Sequence, residues 1–101
     1  TAQAGCSLDD MMPTLEKERL ALINMGEATE QTLGGVTATA THGSGGGPAP
    51  SLADSFSDQV VSYKVVDLTD KAAIHTVTRE DEEVFDTFMV HLGLLGVVVE
   101  E

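Results

Sequence analysis

Residues 32–45 read Thr32-Leu33-Gly34-Gly35-Val36-Thr37-Ala38-Thr39-Ala40-Thr41-His42-Gly43-Ser44-Gly45. Leu33 and His42 apart, no side chain in this ribbon is larger than valine. Small side chains let a backbone come close to something. From the residues alone that something is another element of the same protein or a ligand, and both stay open. The ribbon offers closely spaced main-chain N–H groups and hydroxyls at Thr32, Thr37, Thr39, Thr41 and Ser44. Such a chain can lie along a pyrophosphate or a flat ring system, because main-chain N–H groups take a phosphate without Lys or Arg.

The ribbon runs into a loop at 43–50, Gly-Ser-Gly-Gly-Gly-Pro-Ala-Pro. Flanks of about 42 and 51 residues are short for two domains, so the loop belongs inside one fold. Downstream, residues 59–68 alternate and are rich in β-branched side chains, which predicts a strand. A turn at Asp67-Leu68-Thr69-Asp70-Lys71 and a second strand at 73–78 complete a β-hairpin. Thr78 is expected to cap a helix with an acidic first turn, Glu80 to Glu83, where the helix dipole favours negative charge. Val84, Phe85, Phe88, Leu92 and Leu95 make its apolar stripe, and Gly93 or Gly96 ends it. Val97-Val98-Val99 reads as a last strand.

Upstream, residues 2–6 can close a short strand. Ser7 starts a helical pattern with Asp10 as capping partner, and the helix is placed at 9–19. Pro13 fits only if that helix begins near Asp9 or Asp10, which puts it in the first turn. Residues 20–25 are a short apolar run stopped by Gly26. The layout is α+β: an antiparallel sheet flanked by helices.

The chain has 101 residues, 42% hydrophobic and 22% charged, which suits one small globular domain. Five Lys and Arg stand against 17 Asp and Glu, a formal net charge of −12. So acidic a surface repels nucleic acid and anionic membranes. No apolar run approaches the ~18 residues of a membrane span. The start carries no positive segment and no signal-like run, which leaves localisation unconstrained. Cys6 is the only cysteine, so no internal disulfide forms, and it is expected to be a small buried residue.

His42, His75 and His91 have no second ligand at metal spacing, which argues against a metal site. A Ser44-His42-carboxylate arrangement lacks a nucleophile elbow. The glycines of 43–47 are not a dinucleotide fingerprint, since no strand directly precedes them and no helix directly follows.

The ribbon closely resembles the segment of the aldonolactone and alditol oxidases, vanillyl-alcohol-oxidase-type flavoproteins, that ends in Thr-His-Gly-Ser/Thr-Gly. The resemblance continues in order: residues 20–26 look like the approach to that segment, 57–69 like the strand after the loop, and 83–98, with Leu92-Gly93-Leu94-Leu95-Gly96-Val97-Val98, like the closing helix and strand. It implies the second subdomain of a PCMH-type FAD-binding domain, spanning residues 1–101 with the Gly-rich loop 43–50 inside it. It implies that Thr32, Gly35, Thr39, Ala40, Thr41, His42, Gly43 and Ser44 line FAD, and that Val97 meets the adenine end. In the family a covalent flavin link, where present, is to a His of the first half of the domain, which His42 does not match. The first half and the substrate domain, with its catalytic polar residues, lie outside the resemblance, so they are expected partners and this chain alone is expected to be inactive. The implied activity is hydride transfer from a sugar, alditol or aldonolactone to flavin. The other readings are an acidic α+β binding or structural module that kept the fold without flavin, and a generic acidic α+β interaction domain.

Overall fold

Ser7 opens the first helix as expected. In the computed structural model, which describes residues 1–44 and 54–101, its hydroxyl accepts the Asp10 N–H at 3.1 Å and caps α1, Leu8–Lys17. The helix starts one residue before the expected 9 and ends two before 19. Pro13 therefore lies in the second turn and not the first, where the Asp9 carbonyl receives no helical N–H from it. Residues Leu33–Ala38 form a second helix, α2, where the sequence reading assigned no element to the small-residue ribbon. A 3-10 turn, Ser57–Gln59, leads into β1, Ser62–Asp67. β2, Ala73–Thr78, completes the expected hairpin, then α3, Glu82–Phe88, and β3, Val97–Glu100, follow.

The sheet is antiparallel with order β2-β1-β3. The expected strand at 2–6 is a shorter contact on its open edge. Gln3 bridges Glu100, and Ala2 and Ala4 donate their N–H groups to the Glu101 and Val99 carbonyls at 2.8 and 3.0 Å. The hairpin turn is locked by Asp67, whose Oδ1 accepts the Thr69 N–H and hydroxyl, both at 2.7 Å. Those two donors hold the Asp67 carboxyl below its usual range.

Strand alternation sends Tyr63 and Val65 of β1 and Val77 of β2 to one face. There they pack with Val60 and Phe85, and Phe88, Met89 and Val98 close the cluster. Arg79 covers it, its guanidinium 4.7 Å from the Phe85 ring centre while donating to the Val60 and Asp58 carbonyls. A second cluster gathers Leu8, Leu33, Val36 and Phe56.

Three expectations around α3 are corrected. Its cap position is Asp81, without a side-chain bond, and Thr78 stays in β2. The helix stops at Phe88, before Gly93 and Gly96, because the chain turns to hydrogen-bond α2: the Leu92 N–H donates to the Ala38 carbonyl at 3.1 Å, with Leu92 at φ +53°. Of the apolar stripe, Phe85 and Phe88 pack inward, while Val84, Leu92 and Leu95 are exposed. His91 accordingly lies beyond the helix. Cys6 is only half-buried.

Candidate cofactor site

Glycines at 34 and 35 and β-branched residues at 36 and 37 are poor helix formers. What makes α2 a helix is its ends and its inner face. Thr32 Oγ1 accepts the Gly35 N–H at 3.3 Å, an N-cap. The Leu33 and Gly34 N–H groups, free of helical partners, donate to the Cys6 and Ala4 carbonyls, both at 2.8 Å. Leu33, Val36, Thr37 and Ala38 are buried. A Cβ at Gly34 would stand 3.0 Å from the Ala4 Cβ, so the glycine permits this close approach.

The opposite face carries Thr32, Gly35 and Thr39, all exposed. Their spacing of three and four residues puts them on one stripe. The thinness of that stripe is structural as well as compositional, since Thr39 turns its hydroxyl back to the Gly35 carbonyl at 2.9 Å. Ala40, at φ +53°, then reverses the chain, and Thr41 rejoins the helix through its N–H to the Val36 carbonyl at 3.0 Å. His42 and Ser44 are exposed, and Thr41 and Gly43 are half-buried. His42 Nδ1 lies 2.9 Å from the Gly43 carbonyl and so carries the proton of the neutral ring, leaving Nε2 as an acceptor.

The structure thus gathers the expected residues from Thr32 to Ser44 into one continuous surface. Val97 is not among them. Glu101 touches α2 through Thr37, and Val97 lies four residues back along β3, about 13 Å at ~3.3 Å per residue, beside Val66. The N–H supply expected of the ribbon is also smaller than its sequence suggests. Those of Leu33, Gly34, Gly35, Val36, Ala40, Thr41 and Gly43 all have protein acceptors. Among the described residues of the ribbon, the N–H groups of Thr32, His42 and Ser44 have no acceptor. Two of these three donors lie together at 42–44, beyond the end of the helix. Residues 45–50 of the Gly-rich loop lie outside the described residues.

One residue the sequence did not single out organises this end of the site. Asn24 is buried, its Oδ1 accepts the Gly43 N–H at 2.8 Å, and its Nδ2 donates to the Asp54 carbonyl at 2.9 Å. Gln59 Nε2 donates to its carbonyl at 2.6 Å. Asn24 thereby ties together both flanks of the Gly-rich loop. Nothing in a lone Asn within an apolar run announces this, because its partners lie 19 and 30 residues away. Gly43 is fitted to the same clasp: a Cβ there would collide with the Met25 carbonyl.

A separate hollow of about 350 Å³ lies between the hairpin and α3, lined by Val65, His75, Val77, Phe88 and Leu95. It shares no residue with the α2 surface. Among the described residues no helix is long and apolar enough to cross a membrane.

Residues 1–78 match the family model described as FAD binding domain. The chain belongs to that family. The match runs through α1, α2 and the hairpin, so the α2 surface lies within the FAD-binding domain proper. Over nearly its whole length the chain is also similar to curated proteins. It is 36% identical to the L-gulonolactone oxidase of Mus musculus over 98% of this chain and 21% of that protein. It is 32% identical to the D-arabinono-1,4-lactone oxidase of Debaryomyces hansenii over 97% of this chain and 16% of that protein. It is 33% identical to the L-gulono-1,4-lactone dehydrogenase of Mycobacterium tuberculosis over 97% of this chain and 21% of that protein. The chain spans about one fifth of the length of these relatives.

The residues present fit FAD. A stripe with no side chain larger than threonine suits a flat ligand, and two main-chain donors at its end suit a pyrophosphate.

Proposed function

We propose that this FAD-binding domain chain supplies a flavin-holding surface to an oxidoreductase that acts on a sugar, alditol or aldonolactone. FAD, when bound, supplies the hydride acceptor. The chain's own residues bind and orient. Thr32, Gly35 and Thr39 present a thin wall against which the cofactor lies, and Ala40 and Thr41 extend it. The N–H groups of His42 and Ser44 receive phosphate oxygens, and Gly43 keeps that turn closed against Asn24. Val97 serves the adenine end from the far end of β3.

The observation that carries this reading is the two-sidedness of α2: its inner face is buried core, its outer face is bare. A helix of this composition gains little intrinsic stability, and a requirement for close approach explains why larger residues are missing from its outside. The lactone oxidases and dehydrogenases among its relatives support the substrate class.

The same reading makes the chain the second subdomain of its flavin domain and leaves the catalytic acid–base groups to a substrate domain. Its exposed apolar side chains suit that arrangement. Leu94 is 82% exposed, and Ile23 and Leu68 are each 70% exposed.

The test is the visible spectrum of the chain purified together with the rest of its flavin domain and its substrate domain. Flavin bands, with FAD released on denaturation, and bleaching of those bands by an aldonolactone in the absence of oxygen are the expected results. A folded, colourless protein that takes up no added FAD would overturn the proposal.

A further inference from the structure

Behind α2, on the side away from the proposed cofactor, three buried polar atoms have no hydrogen-bond partner in the protein: Tyr63 Oη, His91 Nε2 and Glu101 Oε2. They come from β1, the segment after α3 and the end of β3, yet the contacts around them close into one circuit. Lys64 pairs with Glu100 in the antiparallel ladder. Tyr63 and Glu101 are the next residues along it and leave on the same face. Glu101 Oε1 accepts the Thr37 hydroxyl of α2 at 2.8 Å. The neighbouring Ala38 carbonyl accepts the Leu92 N–H, which fixes His91 alongside. The His91 ring meets the Tyr63 ring edge-on, with centres 6.4 Å apart, and completes the circuit.

Proton positions follow from the partners. His91 Nδ1 accepts the Gly93 N–H at 3.0 Å, so the neutral ring carries its proton on Nε2. Burial holds the His91 pKa below its ordinary value and keeps the ring neutral at pH 7. Burial, and then the Glu101 charge, push the Tyr63 hydroxyl up, so it keeps its proton. The other charged groups that act on Tyr63 are Arg79 and Asp58, with opposite effects. Two donors without acceptors therefore accompany one acceptor without a donor, and no two of the three bond directly. Leaving buried polar groups unpaired costs more than immobilising one water. A water accepts two hydrogen bonds and donates to a carboxylate, which is the complementary set.

We propose that Tyr63, His91 and Glu101 form a buried binding site for a single water molecule that ties β1, β3 and the segment after α3 to helix α2. The water accepts from Tyr63 Oη and His91 Nε2 and donates to Glu101 Oε2, and Thr37, bonded to the same carboxylate, passes the constraint to α2. The site stands independently of what the outer face of α2 holds.

Nuclear magnetic resonance on the intact protein tests it. A long-lived water should give cross-peaks to the Tyr63 hydroxyl and ring and to His91 Nε2–H. Tyr63→Phe should abolish them and shift the titration midpoint of the Glu101 carboxyl carbon upward, since the carboxylate loses its bridged donor. Absence of a long-lived water at these protons in the unmodified protein, or a direct Tyr63-to-Glu101 hydrogen bond, would overturn the site. So would a Tyr63→Phe protein whose water cross-peaks and Glu101 midpoint are unchanged. Should Tyr63→Phe not fold, the unmodified protein alone decides.

Discussion

The cluster around Tyr63 and the cluster around Leu8 follow different rules. In the first, strand alternation and two phenylalanines of α3 fill one face of a hairpin, and every buried residue is large or β-branched. In the second, a six-residue helix contributes Leu33 and Val36 to the inside and keeps threonine and glycine on the outside. Hydrophobic burial alone accounts for the first arrangement. The second spends helix propensity on a thin outer surface, which burial does not require. The difference separates residues that hold the fold from residues that, in the proposed function, admit a ligand.

The strongest way to break the comparison is Phe85→Ala. Removing this buried ring should lower stability by about 3–5 kcal/mol, measured by urea unfolding. Tyr63, the only tyrosine in a chain without tryptophan, gives a fluorescence signal from the first cluster. If the two clusters form one cooperative unit, that signal and the far-ultraviolet circular dichroism lose their midpoints together. Separate transitions would show two independent units.

Asn24→Ala tests the clasp at the edge of the second cluster. It leaves the Gly43 N–H and Asp54 carbonyl without this partner and should cost roughly 2–3 kcal/mol, with flavin retention falling as the 42–44 turn loosens. Unchanged stability and flavin content would remove Asn24 from the account.

Thr32→Ala should cost about 1 kcal/mol through loss of the α2 cap, and Thr32→Ser should restore most of it. Equal stability of all three proteins would mean the cap contributes nothing to this helix.

The smallest effect expected is a pH dependence from Glu101. Burial raises its carboxyl pKa in the folded protein, against the opposing Thr37 hydrogen bond. A raised folded pKa means the folded state favours the neutral acid. The associated stability is full below the ordinary carboxylate range and is lost as pH rises through the folded value. Glu101→Gln should flatten that part of the profile, and a wild-type profile with no decline there would contradict it.

The regions also differ in how legible they are in sequence. The second hairpin strand, 73–78, was legible to the residue, and the first, expected at 59–68, starts three residues later at Ser62 because Ser57–Gln59 forms a 3-10 turn. The α1 cap was equally visible in Ser7 and Asp10. α2 was not, because its helicity depends on the Cys6 and Ala4 carbonyls, about 27 and 30 residues upstream, and on burial. The early end of α3 was hidden for the same reason, since the Ala38 carbonyl that draws Leu92 out of the helix belongs to a distant element. Within the candidate site, the small size of the residues was readable, but the consumption of most N–H groups by the protein, the Asn24 clasp and the distance of Val97 from α2 were tertiary facts.

The central claim is that the outer face of α2 is bare because a flavin lies on it. Gly35→Leu addresses this most directly. A Cβ at Gly35 comes 3.1 Å from Thr32 Oγ1, so the cost in stability should not exceed that of Thr32→Ala. Flavin content after purification should fall about tenfold or more, a loss of at least ~1.4 kcal/mol in binding. A folded Gly35→Leu protein that keeps its full complement of flavin would contradict the account.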